Sequence, residues 1–176
     1  MSTPRSRRVV LAAVIGLLVV AGVWVAWFAV PRPAGVPEPA GVPEDAVAYT
    51  VERVVDGDTL VARGPDGEVR VRLIGIDTPE ARPEPECGAD AATARLRELA
   101  PDGSRVWATA DREPVDRYDR ALRYLWTPDG VFVNKTLVAE GHAETLRIPP
   151  NTRYATRFAD AQRTAEAEGI GRWGSC

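Results

Sequence analysis

The spacing of apolar positions changes character along the chain, and each change predicts a different element. Residues 9–30, VVLAAVIGLLVVAGVWVAWFAV, are apolar throughout and carry no charge. As a helix this run spans about 33 Å, enough for a bilayer core. A globular helix keeps one polar face, and this run has none. From residue 48 the pattern shortens. AYTVERVVD (48–56) and TLVAR (59–63) are rich in β-branched residues and read as strands, with DGD between them as a turn. GPDG (64–67) is a second turn. EVRVRLIGI (68–76) alternates and then becomes continuously apolar, as a strand does when it enters a core.

Helical composition follows in GADAATARLRELA (88–100). SRVWATADR (104–112) and RALRYLWT (120–127) return to strand, and PDG at 128–130 turns the chain into VFV. NKTLVAEGHA predicts a short helix with Asn134 as N-cap and Gly141 after its end. A last helix is expected over 152–168, capped by Thr152 and stopped by Gly169. Strands, helix, strands and two helices make an α+β domain, a small antiparallel sheet or barrel with helices packed on it.

Composition then divides the chain into segments. Residues 1–8 hold three arginines and no acid, so the apolar run after them reads as a transmembrane signal anchor with its basic end in the cytoplasm. Trp24 and Trp27 near the far end suit an interface. A cleaved signal peptide, which would release the domain as a secreted protein, is the competing reading. Its apolar core would be shorter, and cleavage after Ala29 would put Trp27 where a small residue belongs. Residues 31–47 form a Pro-rich linker in which AGVPE occurs at 34–38 and again at 40–44. Residues 48–176 are then one extracytoplasmic domain of conventional size.

Charge narrows the function. The whole chain is −3, and with three arginines in the first 30 residues the remainder is −6. That excludes a simple electrostatic nucleic-acid binder; a polyanion needs local arginines or a bound cation to approach. His142 is the single histidine, at the end of a predicted helix, and reads as structural. A Ser-His-Asp or Cys-His mechanism and a His-based zinc site are therefore disfavoured.

The chemistry concentrates in two stretches. VDGDT places Asp56 and Asp58 two apart, on one face if the chain is extended; a plain hairpin turn explains the same letters. RLIGIDTPE (72–80) is harder to dismiss. Pro79 favours a turn over 78–81 that brings Asp77 and Glu80 back toward one point. Converging carboxylates repel unless neutralised, and a hard cation with oxygen ligands does that. Arg72 and Asp77 are five residues apart, so on a regular strand they face opposite ways. They meet only if the strand bends, which Gly75 permits. Arg120, in DRYDRALRY, matters if it meets Arg72 in space.

Together VVDGDTL, RLIGIDTPE, DRYDRAL and PPNTRYATRFADAQRTAEAEGIGRW resemble the thermonuclease, or staphylococcal nuclease-like, family, in the family's order and over about residues 50–174. The resemblance implies an OB-type five-stranded barrel with three packed helices, and a calcium-dependent phosphodiesterase acting on DNA or RNA. It implies Ca2+ held by Asp58, Asp77 and the Thr78 carbonyl, Glu80 as general base, and Arg72 and Arg120 on the phosphate. P–O5′ cleavage, leaving a 3′-phosphate end, follows from the same likeness. The family's prototype has tyrosines before its Pro-Asn turn that pack on the nucleotide. Here ETLRIPPN stands instead, so stacking is expected to be weaker, with Arg147 as a stand-in contact. A monomer is expected. The alternative is a non-catalytic OB module binding nucleic acid or a partner, which has no need of a base such as Glu80.

Two cysteines complete the reading. An even count in a domain facing an oxidising compartment predicts a Cys87–Cys176 disulfide rather than two free thiols. That bond would set residue 176 beside the loop that follows Glu80.

Overall fold

The computed structural model describes residues 40–176. The anchor expected at 9–30 and most of the linker lie outside the described residues; among the described residues no helix is long and apolar enough to cross a membrane. Packing begins a little before residue 48: Ala46 is fully buried, Val42 lies against the core, and Asp45 accepts a 2.8 Å hydrogen bond from the Thr109 hydroxyl.

Five strands close into a barrel: β1 (Val47–Val54), β2 (Thr59–Gly64), β3 (Gly67–Leu73), β5 (Arg105–Thr109) and β6 (Ala121–Trp126), in the order β1-β2-β3-β6-β5. All pairs are antiparallel except β3 with β6, which run parallel and close the barrel. Alternation turns Val51, Leu60, Ala62, Val71, Leu73, Val106 and Leu125 inward, where they are buried. β4 (Ile76–Asp77) leaves the barrel and pairs instead with β7 (Glu144–Thr145).

Three helices pack on this frame: α1 (Ala89–Leu99), α2 (Val133–Ala139) and α3 (Ala155–Glu168), and a single turn, α4 (Arg172–Ser175), follows. Leu96 of α1, Leu137 of α2 and Phe158 of α3 are buried at their contacts. Trp126 stacks on Phe132 at 4.5 Å, and Tyr124 meets Tyr154 edge-on at 4.7 Å, filling the space between β6 and α3. This is the α+β five-stranded barrel with three helices expected from the sequence.

Three local expectations are corrected. Asn134 does not cap α2; Phe132 holds that position, and Asn134 is the second residue of the helix, fully buried. Its side chain accepts from Leu125 N (2.9 Å) and donates to Ile74 O (3.0 Å), so it ties β6 to the residue that follows β3. Thr152 does not cap α3 with its side chain; the helix starts at Ala155 after Tyr154, and Thr152 offers its carbonyl to Ala155 N at 3.1 Å. The strand expected at 68–76 ends at Leu73 and resumes as β4 beyond a break at Ile74–Gly75.

Candidate active site

That break builds the site. Gly75 takes φ +81°, a left-handed conformation costly for other residues, and Phe158 packs where its Cβ would be, 2.6 Å away. Asn134 holds the Ile74 carbonyl, and Leu146 N donates to the Gly75 carbonyl at 3.0 Å. The chain is thereby turned so that Arg72 and Asp77 share a side. Arg72 Nη2 donates to Asp77 Oδ1 at 2.6 Å, and Nη1 donates to the carbonyls of Ile76 (2.9 Å) and Leu73 (3.1 Å). Nη1 also lies 3.0 Å from Asp58 Oδ2. One guanidinium, its side chain only 12% exposed, thus joins the two carboxylates that the sequence nominated.

Asp58 stands just before β2. Gly57 makes its placement possible, since a Cβ there would meet Thr78 Oγ1 at 2.7 Å and Ala92 Cβ at 2.8 Å. The carboxylate is buried and well supplied: Oδ2 accepts from Thr78 N and Thr78 Oγ1, each at 3.0 Å, and Oδ1 accepts from Thr59 Oγ1 at 3.1 Å. Burial nevertheless pushes the Asp58 carboxyl up to about 6; the Arg72 charge and the Thr78 donors pull it down, and Asp56 pushes it up again. Asp77 is much more open. Buried negative charge beside a second carboxylate fits a bound cation, and the donors are the hard oxygens calcium takes. Among the described residues there is no cluster of three or more Asp, Glu, His or Cys side chains that could hold a metal. A cation here would complete its shell with backbone carbonyl, such as that of Thr78, and with water.

Arg120 enters from another segment. It precedes β6, and β6 pairs with β3 in the register Arg72↔Leu122. The turn before it is held by Asp116, which accepts from Tyr118 N (2.9 Å), Arg120 N (3.0 Å) and Arg120 Nε (2.7 Å). Arg72 and Arg120 line one cleft of about 480 Å3. Its walls include Tyr118, Leu146 and Ile148, all exposed apolar surface. A larger hollow of about 730 Å3, lined by Asp45, Asp111, Arg123 and Arg153, touches none of the nominated residues, and its Arg153 is already paired with Asp45.

Glu80 is placed differently. It is exposed, and it is held through its main chain: Glu80 N donates to Glu86 Oε2 at 3.0 Å and Glu80 O accepts from Glu86 N at 2.8 Å. Its carboxylate makes no hydrogen bond or ion pair among the described residues. The structure therefore brings Asp58, Arg72, Asp77 and Thr78 into contact and sets Arg120 in the Arg72 cleft, with Glu80 three residues beyond Asp77. Cys87 and Cys176 are joined, Cα to Cα 5.9 Å.

Arg147 borders a small hollow of about 140 Å3 with Gly75, Thr145 and Phe158, beside the cleft that holds Arg72 and Arg120. Leu146 borders both hollows, and Ile148 lines the cleft. Tyr118 is the residue that sequence reasoning missed. The residue is 64% exposed, and its ring is flanked by Arg117 at 4.7 Å and Arg120 at 5.5 Å. The signal was present as an aromatic set between arginines in DRYDR.

The family described as staphylococcal nuclease homologue matches residues 70–175, which run from within β3 through the break and Arg120 to the last helix. The chain belongs to the staphylococcal nuclease family. It is 38% identical to the thermonuclease of Staphylococcus intermedius over 130 residues, covering 72% of this chain and 76% of that protein. It is 34% identical to the thermonuclease of Staphylococcus hyicus over 122 residues, 67% of this chain and 70% of that one. Endonuclease YncB of Bacillus subtilis (strain 168) is 31% identical over 132 residues, 72% of this chain and 62% of the relative. In this staphylococcal nuclease family member Asp58 lies ahead of the matched stretch, yet its carboxylate is tied to Arg72 and Thr78 inside it.

Proposed function

We propose that this nuclease hydrolyses phosphodiester bonds of DNA or RNA with calcium, using Glu80 as general base and Arg72 and Arg120 as hydrogen-bond donors to the phosphate. The observation that carries the reading is Arg72: one guanidinium pairs with both Asp58 and Asp77 and shares a cleft with Arg120. Asp58, Asp77 and the Thr78 carbonyl are the ligands for Ca2+. Bound there, the ion supplies positive charge beside the scissile phosphate. Glu80 accepts the proton of the attacking water, a role suited to an exposed carboxylate with no competing partner. Arg72 and Arg120 present N–H donors to the non-bridging oxygens as charge builds on them. Tyr118, Leu146 and Ile148 give the flanking nucleotide an apolar surface.

We further propose that residues 48–176 act outside the membrane, held by residues 9–30 as an uncleaved anchor. The Cys87–Cys176 bond supports an oxidising compartment.

The test uses the full chain on linear DNA and on RNA, with calcium and after chelation. Turnover should require calcium. Glu80→Gln should slow it about 10²–10⁴-fold with the fold intact. Calcium-independent hydrolysis, or a Glu80→Gln variant near wild-type speed, removes the assignment.

A further inference from the structure

Glu80 opens a loop that leaves β4 and reaches α1 at Ala89. Residues 82–87 are exposed, so no core packing fixes their course. Segments of that kind open with little free energy unless something else ties them. Here the tie is specific. Both main-chain polar groups of Glu80 are committed to Glu86, one to its carboxylate at 3.0 Å and one to its amide at 2.8 Å. Only the side-chain torsions of Glu80 are then left to adjust.

The next residue carries the constraint further. Cys87 is bonded to Cys176, which follows α4. That turn is docked in two places. Arg172 N donates to Gly141 O at 3.1 Å, and the Arg172 guanidinium lies 3.6 Å from Glu144 Oε2. Glu144 is the register partner of Asp77. Gly88 runs between Pro79 and Arg172, where an added Cβ would stand 3.7 Å from Pro79 Cγ and 3.9 Å from Arg172 Cβ. The loop bearing Glu80 and the strand bearing Asp77 are thus referred to the same small frame.

We propose that Glu86 is a positioning residue for the Glu80 carboxylate, and that the Cys87–Cys176 bond anchors Glu86 to the α4–β7 frame that also holds Asp77. The inference rests on Glu80 being the base, as proposed above. Glu86 touches neither substrate nor metal in this role. It acts by fixing the backbone from which Glu80 reaches the water, and displacing a reacting group by about 1 Å can slow a reaction 10²-fold. The acceptor oxygen matters and the charge does not, which separates this role from an electrostatic one.

The test measures kcat, KM and thermal midpoint for the full chain carrying Glu86→Ala, Glu86→Gln, Cys87→Ser with Cys176→Ser, and the Cys pair combined with Glu86→Ala. Glu86→Ala should lower kcat by about 10- to 100-fold while KM and the midpoint stay at wild-type values. Glu86→Gln, which keeps the acceptor, should restore kcat. The Cys pair should lower kcat at a temperature well below its own midpoint, and adding Glu86→Ala should lower it by less than the product of the separate effects. Wild-type kcat in Glu86→Ala, a Gln variant as slow as Ala, or independent effects of Glu86 and the disulfide each overturn the proposal. A Glu80→Gln control separates the two ideas. If it is inactive while Glu86→Ala is normal, only the positioning role fails; if it is fully active, the base assignment fails first.

Discussion

Arg72 Nη2 and Asp77 Oδ1 lie 2.6 Å apart although the odd spacing between them would send their side chains to opposite faces of a regular strand. The chain resolves this by abandoning the strand. Leu73 ends one sheet, Ile76 starts another, and Gly75 makes the corner between them.

Gly75→Ala should therefore damage the corner twice, through its positive φ and through the Phe158 ring at 2.6 Å. The two effects together should destabilise the fold by about 2–4 kcal/mol. Denaturant unfolding checks this, and wild-type stability would mean the corner can form without glycine.

Arg120→Lys keeps a positive charge and should still fail. A planar guanidinium can hold Asp116 through Nε and present its remaining N–H edge to phosphate; an ammonium cannot do both. The fall in kcat should exceed the rise in KM. A change confined to KM would make Arg120 a ground-state phosphate contact.

Asp116→Asn should weaken the fold in a way that depends on pH. Desolvation pushes the Asp116 carboxyl up, but bonds from Arg120 and Tyr118 together outweigh it and hold the group below its usual 3.8. A depressed carboxylate adds stability above its unfolded pKa and loses it as pH falls through the folded value. The variant should be about 1 kcal/mol less stable near neutral pH, and the gap should close in acid below 3.8. A gap that stays constant across that range would show that the carboxylate charge is not involved.

Loss of the disulfide should lower global stability as well. The bond closes a separation of 89 residues, and removing such a cross-link typically costs about 2–5 kcal/mol. Urea unfolding of the Cys87→Ser, Cys176→Ser chain reads this directly; an unchanged midpoint would mean the linked ends are already held by packing alone.

The barrel was legible because its strands are long enough to show runs of β-branched or aromatic residues between turn signals, as 59–63 and 120–127 do. The carboxylates and arginines were legible because motif order brought them together as a family pattern. What escaped notice depends on tertiary register. Asn134 looked like a cap because polar residues before apolar runs usually are caps; its partners Ile74 and Leu125 lie 60 and 9 residues away. β4 and β7 are two residues each, too short for any period. Arg147 drew attention by its charge, while the cleft wall is built from its apolar neighbours Leu146 and Ile148. Tyr118 resembled surface decoration in a charged turn until its neighbours were known.

The parallel ladder between β3 and β6 has a consequence for how this chain can change in length. It fixes Arg72 opposite Leu122, and Arg120 stands two residues earlier, so the separation of the guanidiniums is counted out by backbone register. A single residue inserted between 120 and 122 would turn Arg120 away, and one inserted between 73 and 77 would turn Asp77 away from Arg72. The turns at Gly67 and Gly103 are different: nothing lies within 4 Å of where their Cβ atoms would be. Insertions and deletions should accumulate there and be purged from the two short spans beside the arginines, so the molecule carries rigid and elastic zones of chain length side by side.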